Sequence, residues 1–234
     1  FATQASAESD SFGKDYDDDA WHPDMEVATG ADLQAALNNG VTNIALAADI
    51  ELTESIVISA AATTYSMRST PVVIDLNGKN ITIQAAYDDN NSTASSAIVN
   101  YGNVVLQGNG TIKATNNYTV RNYGNMVIDG VTVENGVMNF ADLTVESGNI
   151  SNARSGKHTI YGNGATLTIN GGEFGPTAND GSSVFITNGT NDVQVSVTGG
   201  TFNTKIGCTD PNKEGVKGAI TGGTFTTSAK ELGD

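Results

Sequence analysis

The sequence predicts an all-β chain, a parallel β-helix of about eight coils closed at its N-terminal end by one short helix. Three observations carry that expectation. First, the 234 residues hold 19 Val and 16 Ile against 9 Leu, with 28 Thr, 27 Gly and 25 Asn. β-Branched residues suit strands, and Gly and Asn suit tight corners. Second, one motif recurs, an apolar anchor, a short polar link with glycine and a second apolar residue. It reads Leu106-Gln-Gly-Asn-Gly-Thr-Ile112, Ile128-Asp-Gly-Val-Thr-Val133, Val145-Glu-Ser-Gly-Asn-Ile150, Ile169-Asn-Gly-Gly-Glu-Phe174, Val197-Thr-Gly-Gly-Thr-Phe202 and Ile220-Thr-Gly-Gly-Thr-Phe225. Its first residues stand 22, 17, 24, 28 and 23 positions apart. Third, Tyr101-Gly-Asn103, Tyr123-Gly-Asn125 and Phe140-Ala-Asp142 each begin five residues before such an anchor, and Tyr161-Gly-Asn163 repeats the pattern.

Along the chain, residues 1–26 read as an acidic arm, with Asp15-Tyr-Asp-Asp-Asp19 inside a stretch that has no hydrophobic period. The chain begins at Phe1 rather than Met, as a secreted protein with its leader removed would. Residues 27–42 read as a capping segment. Leu33 and Leu37 lie one turn apart, and Asn38-Asn39-Gly40 ends the helix expected over 30–39. Residues 43–234 read as the coil stack, with its first strands at 43–52, 55–59, 72–76 and 81–83.

A repeat of this length cannot bury its own apolar face, whereas stacked coils can. Each coil then pairs in parallel with the next at about 4.8 Å, with Ile and Val inside and Thr and Asn outside. A β-sandwich would need regularly placed hairpin turns, and these are missing from the pattern. The longer steps are expected to be loops inserted at 60–70, 85–95 and 210–217.

The chain resembles right-handed parallel β-helix proteins of the pectin-lyase-like superfamily, and is most similar to β-helix surface proteins of gut-dwelling bacteria. The residues that carry the resemblance are Ala31-Asp-Leu-Gln-Ala-Ala-Leu37, Asn43-Ile-Ala-Leu-Ala-Ala-Asp-Ile50, Ile74-Asp-Leu-Asn-Gly-Lys-Asn-Ile-Thr-Ile83 and the Gly-Gly-Thr-Phe runs at 199–202 and 222–225. The resemblance covers about residues 27–228 and implies a single-stranded, right-handed coil capped by 31–38. That superfamily mixes enzymes, adhesins and viral spikes. Its pectate lyases use calcium-binding aspartates and an arginine base, but Arg68, Arg121 and Arg154 lie in no such motif. Its polygalacturonases carry a His-Gly pattern, and neither His22 nor His158 precedes a glycine.

Charge narrows the function. With 26 acidic and 11 basic residues the net charge is −15, which argues against nucleic acid and anionic membrane surfaces. No run of 18 apolar residues suits a membrane helix. Cys208 is the one cysteine, so no intrachain disulfide forms. In the outward column Gln107, Asp129, Glu146, Asn170, Thr198, Thr221, the carboxylates Asp129 and Glu146 should be neighbours at about the spacing of a retaining glycosidase. Tyr101, Tyr123, Phe140 and Tyr161 form a candidate glycan-contact column. Asp17, Asp18, Asp19 and His22 are candidate calcium ligands, though the spacing fits no known loop, and calcium is the one cofactor considered. Phe1, Tyr16, Trp21 and Leu232 are candidate self-assembly residues, because an uncovered coil end is an open sheet edge. The expected function is a non-catalytic extracellular or cell-surface module for adhesion or glycan contact. The alternatives are a subunit of a filament or virion and a polysaccharide-degrading enzyme.

Overall fold

The computed structural model describes residues 20–60, 71–162, 166–175, 184–186, 193–203, 206–208 and 216–226. Their strands fall into three all-parallel sheets of nine, eight and seven strands. The chain visits the sheets in turn. Asn103–Gln107 lies in the first, Thr111–Ala114 in the second and Val120–Asn122 in the third, before Asn125–Asp129 returns to the first, one coil up. Such a circuit is a parallel β-helix.

Register explains why the motif repeats. The first anchors form one column, Leu106–Ile128–Val145–Ile169–Val197–Ile220, extended downward by Ile74 and Ile44. The second anchors form another, Ile112–Val133–Ile150–Phe174–Phe202–Phe225, above Ile81 and Ile50. Most of these side chains are fully buried, and they run through the single hydrophobic core. A third column, Ile56–Ile98–Val120–Val137–Ile160, lines the remaining wall. From Ile98 onward it belongs to a shorter unit, an apolar residue two before an asparagine or glycine, which the repeat pattern does not include.

The helix spans Gly30–Asn38 and buries Leu33, Ala36 and Leu37. Thr29 caps it by accepting from the Asp32 backbone N–H at 3.1 Å. The helix also closes an edge. The Gln34 amide donates to the Val57 carbonyl at 2.9 Å and accepts from the Val57 N–H at 2.8 Å. Val57 is central in Ile56–Ile58, the first strand of the third sheet. One side chain thus satisfies both backbone groups at a bare strand edge.

Three sequence expectations are corrected. Met25–Val27, assigned mostly to the arm, is the first strand of the first sheet and pairs with Ile44–Leu46. The expected strand over 43–52 is two strands, Asn43–Leu46 and Ile50–Leu52, in different sheets. Asparagine is not confined to the outside. Asn100, Asn122 and Asn139 are buried in the third sheet and form an internal ladder. Asn100 Nδ2 donates to Asn122 Oδ1 at 2.8 Å, and Asn122 Nδ2 to Asn139 Oδ1 at 2.9 Å. The same amides also reach the backbone carbonyls of Asn125, Asp142 and Thr166 in the first sheet, tying the corner to the next wall. The arm to residue 19 and the insertions at 61–70 and 209–215 lie outside the described residues. Among the described residues, no helix is long and apolar enough to cross a membrane.

Candidate functional site

The corner after the asparagine ladder holds the aromatic residues. Because Asn100, Asn122 and Asn139 stack, the residues that follow them stack too. The rings of Tyr101 and Tyr123 lie 5.1 Å apart at 12°, and those of Tyr123 and Phe140 lie 4.7 Å apart at 2°. Tyr101 is 44% exposed, and Tyr123 and Phe140 are half-buried. The rings cover one another's faces, so the exposure of the column lies along its ring edges. Faces are free only at the ends of the stack.

Tyr161 does not join this column. Its strand pairs Met138 with Tyr161 and Asn139 with Gly162, so the Tyr-Gly-Asn match at 161–163 is displaced by two residues. Tyr161 instead stacks on His158 at 5.7 Å and tilts against Tyr118 at 6.2 Å.

The two acids follow successive first anchors, Ile128 and Val145. Asp129 pairs with Gln107, and Ile128 pairs with Val145. Both carboxylates are exposed, and each is held by a neutral neighbour. Asp129 Oδ1 accepts from Ser147 Oγ at 2.7 Å, while both Glu146 oxygens accept from Asn170 Nδ2 at 3.1 Å. Thr198 Oγ1 continues the chain by donating to Asn170 Oδ1 at 2.9 Å. A glycosidase acid works inside an enclosed site. Here both acids are exposed, Asp129 bound by Ser147 and Glu146 at the end of a polar chain through Asn170 to Thr198.

Of the candidate calcium ligands, Asp17, Asp18 and Asp19 lie outside the described residues, and His22 is exposed. Among the described residues, no group of three His, Cys, Asp or Glu could hold a metal. Phe1, Tyr16 and Leu232 also lie outside the described residues. Trp21 Nε1 donates to Asn43 Oδ1 at 3.3 Å, which fixes the start of the described chain against the first sheet.

One site escaped the sequence reading. Beside the third sheet, a pocket of about 340 Å³ is lined by Arg121, Arg154, Lys157, Tyr87, Tyr118 and Met138, with the amides of Asn116 and Asn117. Arg121 is 5% exposed, and its partners among the described residues are neutral: Ser96 Oγ at 3.2 Å, Asn117 Oδ1 at 3.1 Å and Met138 Sδ at 3.2 Å. The Arg154 guanidinium lies 5.4 Å from the centre of the Tyr118 ring. Its Nη1 is buried with no hydrogen-bond partner. Burial pushes Arg154 below its ordinary pKa, and nearby Arg121 pushes in the same direction, against the pull of Tyr118. Burial likewise raises the Tyr118 hydroxyl, which accepts from the His158 backbone N–H at 3.1 Å. Arg121 and Arg154 are 33 residues apart, and only the coil brings them together.

Residues 24–149, more than half of the chain, match a family described as "Putative pectate lyase-like adhesive domain". The chain belongs to that family, in agreement with the coil and with the superfamily that its sequence resembles. Neither the curated proteins nor the solved structures give a match.

Proposed function

We propose that the chain is a non-catalytic adhesive module, extracellular or surface-borne, that contacts a glycan through the edge of its aromatic column. The observation that carries this reading is the Tyr101–Tyr123–Phe140 stack, exposed at Tyr101 and half-buried at the other two rings, beside the buried asparagine ladder. Ring edges and phenol hydroxyls on an unmoving sheet offer apolar contact and hydrogen bonds at little entropic cost. The adhesive family points the same way. The open setting of Asp129 and Glu146 weighs against hydrolysis.

The test is a glycan array with the full chain and the double variant Tyr101→Phe/Tyr123→Phe, alongside a reducing-sugar assay. The expected result is array binding that the double variant loses while its melting temperature holds, with no sugar released. Release of reducing ends that stops in Asp129→Asn would overturn the reading in favour of an enzyme. A concentration-dependent oligomer on size exclusion, with no glycan bound, would overturn it in favour of self-assembly.

A further inference from the structure

We propose that the pocket between Arg121, Arg154 and Lys157 is a binding site for a sulfate or phosphate monoester carried on a sugar-sized body. It is distinct from the aromatic column and does not depend on it.

The argument starts from charge. The chain carries −15 overall, yet both arginines among the described residues and one lysine meet at this pocket. No acidic side chain is among its lining residues in the described part of the chain. Asp88 and Asp89 follow Tyr87 in the chain but are exposed and are not part of the lining. A buried guanidinium without a counter-charge is costly, and folds normally place a carboxylate against it. Here Arg121 is buried among a hydroxyl, an amide oxygen and a thioether. Asn117, which holds it, is itself fixed by donating to Ser92 O at 2.7 Å and Ser95 Oγ at 2.9 Å. Arg121 is thus locked in place and uncompensated. Arg154 adds a buried N–H with no acceptor and a pKa lowered by burial and by Arg121. Two guanidiniums forced together, one with an orphan donor, lack one thing, which is an anion between them.

The anion's type follows from the donor set. Guanidinium forks match planar carboxylates and tetrahedral oxyanions alike. Three lining cations suit an ester with three terminal oxygens better than a carboxylate with two, and a phosphate ester adds a second negative charge. The remaining walls suit an organic body. Tyr87, 48% exposed, stands at the rim, and Tyr118 and Met138 provide apolar surface beside the Asn116 amide. A volume of about 340 Å³ leaves room beyond the oxyanion, at the lower end of small-molecule sites.

Isothermal titration of the full chain tests this with four probes: N-acetylglucosamine 6-sulfate, glucose 6-phosphate, inorganic phosphate and N-acetylglucosamine. At least one ester is expected to bind, with inorganic phosphate at least tenfold weaker and the neutral sugar silent. Which ester binds more tightly identifies the source of the oxyanion. Arg154→Gln should weaken the ester at least tenfold and Lys157→Gln several-fold. Arg121 is left intact, because its neighbours pack on it. Melting curves of both variants should match the parent. Equal binding of the neutral sugar, equal binding of inorganic phosphate, no binding of either ester, or unchanged affinity in a folded Arg154→Gln protein would each overturn the proposal. Loss of the column's two hydroxyls in Tyr101→Phe/Tyr123→Phe should leave ester binding unaffected, so the two sites fail separately.

Discussion

Tyr123 and Phe140 stack with their centroids 4.7 Å apart and their planes 2° from parallel, one coil above the other. The spacing is that of the strands themselves, so the sheet dictates the stack. Tyr123 also stacks on Tyr101 and so takes part in two ring contacts. Tyr123→Ala should therefore destabilise the coil by about 2 kcal/mol, since an aromatic pair contributes ~0.5–1.5 kcal/mol beyond its buried area. Tyr123→Phe should leave stability nearly unchanged. Urea denaturation of both variants measures the difference.

The asparagine ladder beneath should matter more. Asn122 accepts from Asn100 and from the Gly124 N–H, and it donates to Asn139 and to the Asp142 carbonyl. Asn122→Ala strands several of these groups in the interior and should cost about 3 kcal/mol. Asn125, exposed three residues further on, is the control, and Asn125→Ala should stay within about 0.5 kcal/mol. Paired thermal melts read both.

What the sequence made legible follows the same physics. The columns from Leu106 to Ile220 and from Ile112 to Phe225 could be read because each anchor recurs with the same glycine link. The third wall was hidden. In Val120-Arg121-Asn122 the outward position holds an arginine and the second inward position a polar amide, so no apolar alternation survives. The inward asparagines read as surface residues because isolated asparagine is polar, and only stacking lets each one satisfy the next. Tyr161 was misplaced because Tyr-Gly-Asn at 161–163 copies the motif two residues out of register. The cationic pocket left no local signal, since Arg121 and Arg154 sit in unrelated sequence contexts and meet across two turns.

The Gly-Gly pairs give a sharper test. A Cβ on Gly199 would lie 2.3 Å from the Asn170 backbone carbonyl oxygen of the coil below. Gly199→Ala should therefore cost about 3 kcal/mol through overpacking. Gly40, past the helix, has a positive φ of +78°, but a Cβ there meets nothing within 4 Å. Gly40→Ala should cost only the left-handed conformation, about 1 kcal/mol. Chemical denaturation of the two variants should rank them in that order.

His158 should make the coil sensitive to acid. Burial lowers its pKa from the ordinary value of about 6.5, and the neighbouring Lys157 lowers it further. The groups around it are Lys157, the ring of Tyr161 stacked at 5.7 Å and the hydroxyl of Tyr118 on its backbone N–H. The folded chain therefore binds a proton at this site less readily than the unfolded chain. Between the folded pKa and about 6.5 the unfolded state carries more protons, so stability rises with pH in that window. The contribution is complete above about pH 6.5 and is lost as pH falls through the folded value. Melting temperatures at pH 7.5 and pH 5.0 should show a drop in the parent protein. His158→Gln cannot take up that proton and should show a smaller drop. An equal drop in both would assign the acid sensitivity to the carboxylates instead.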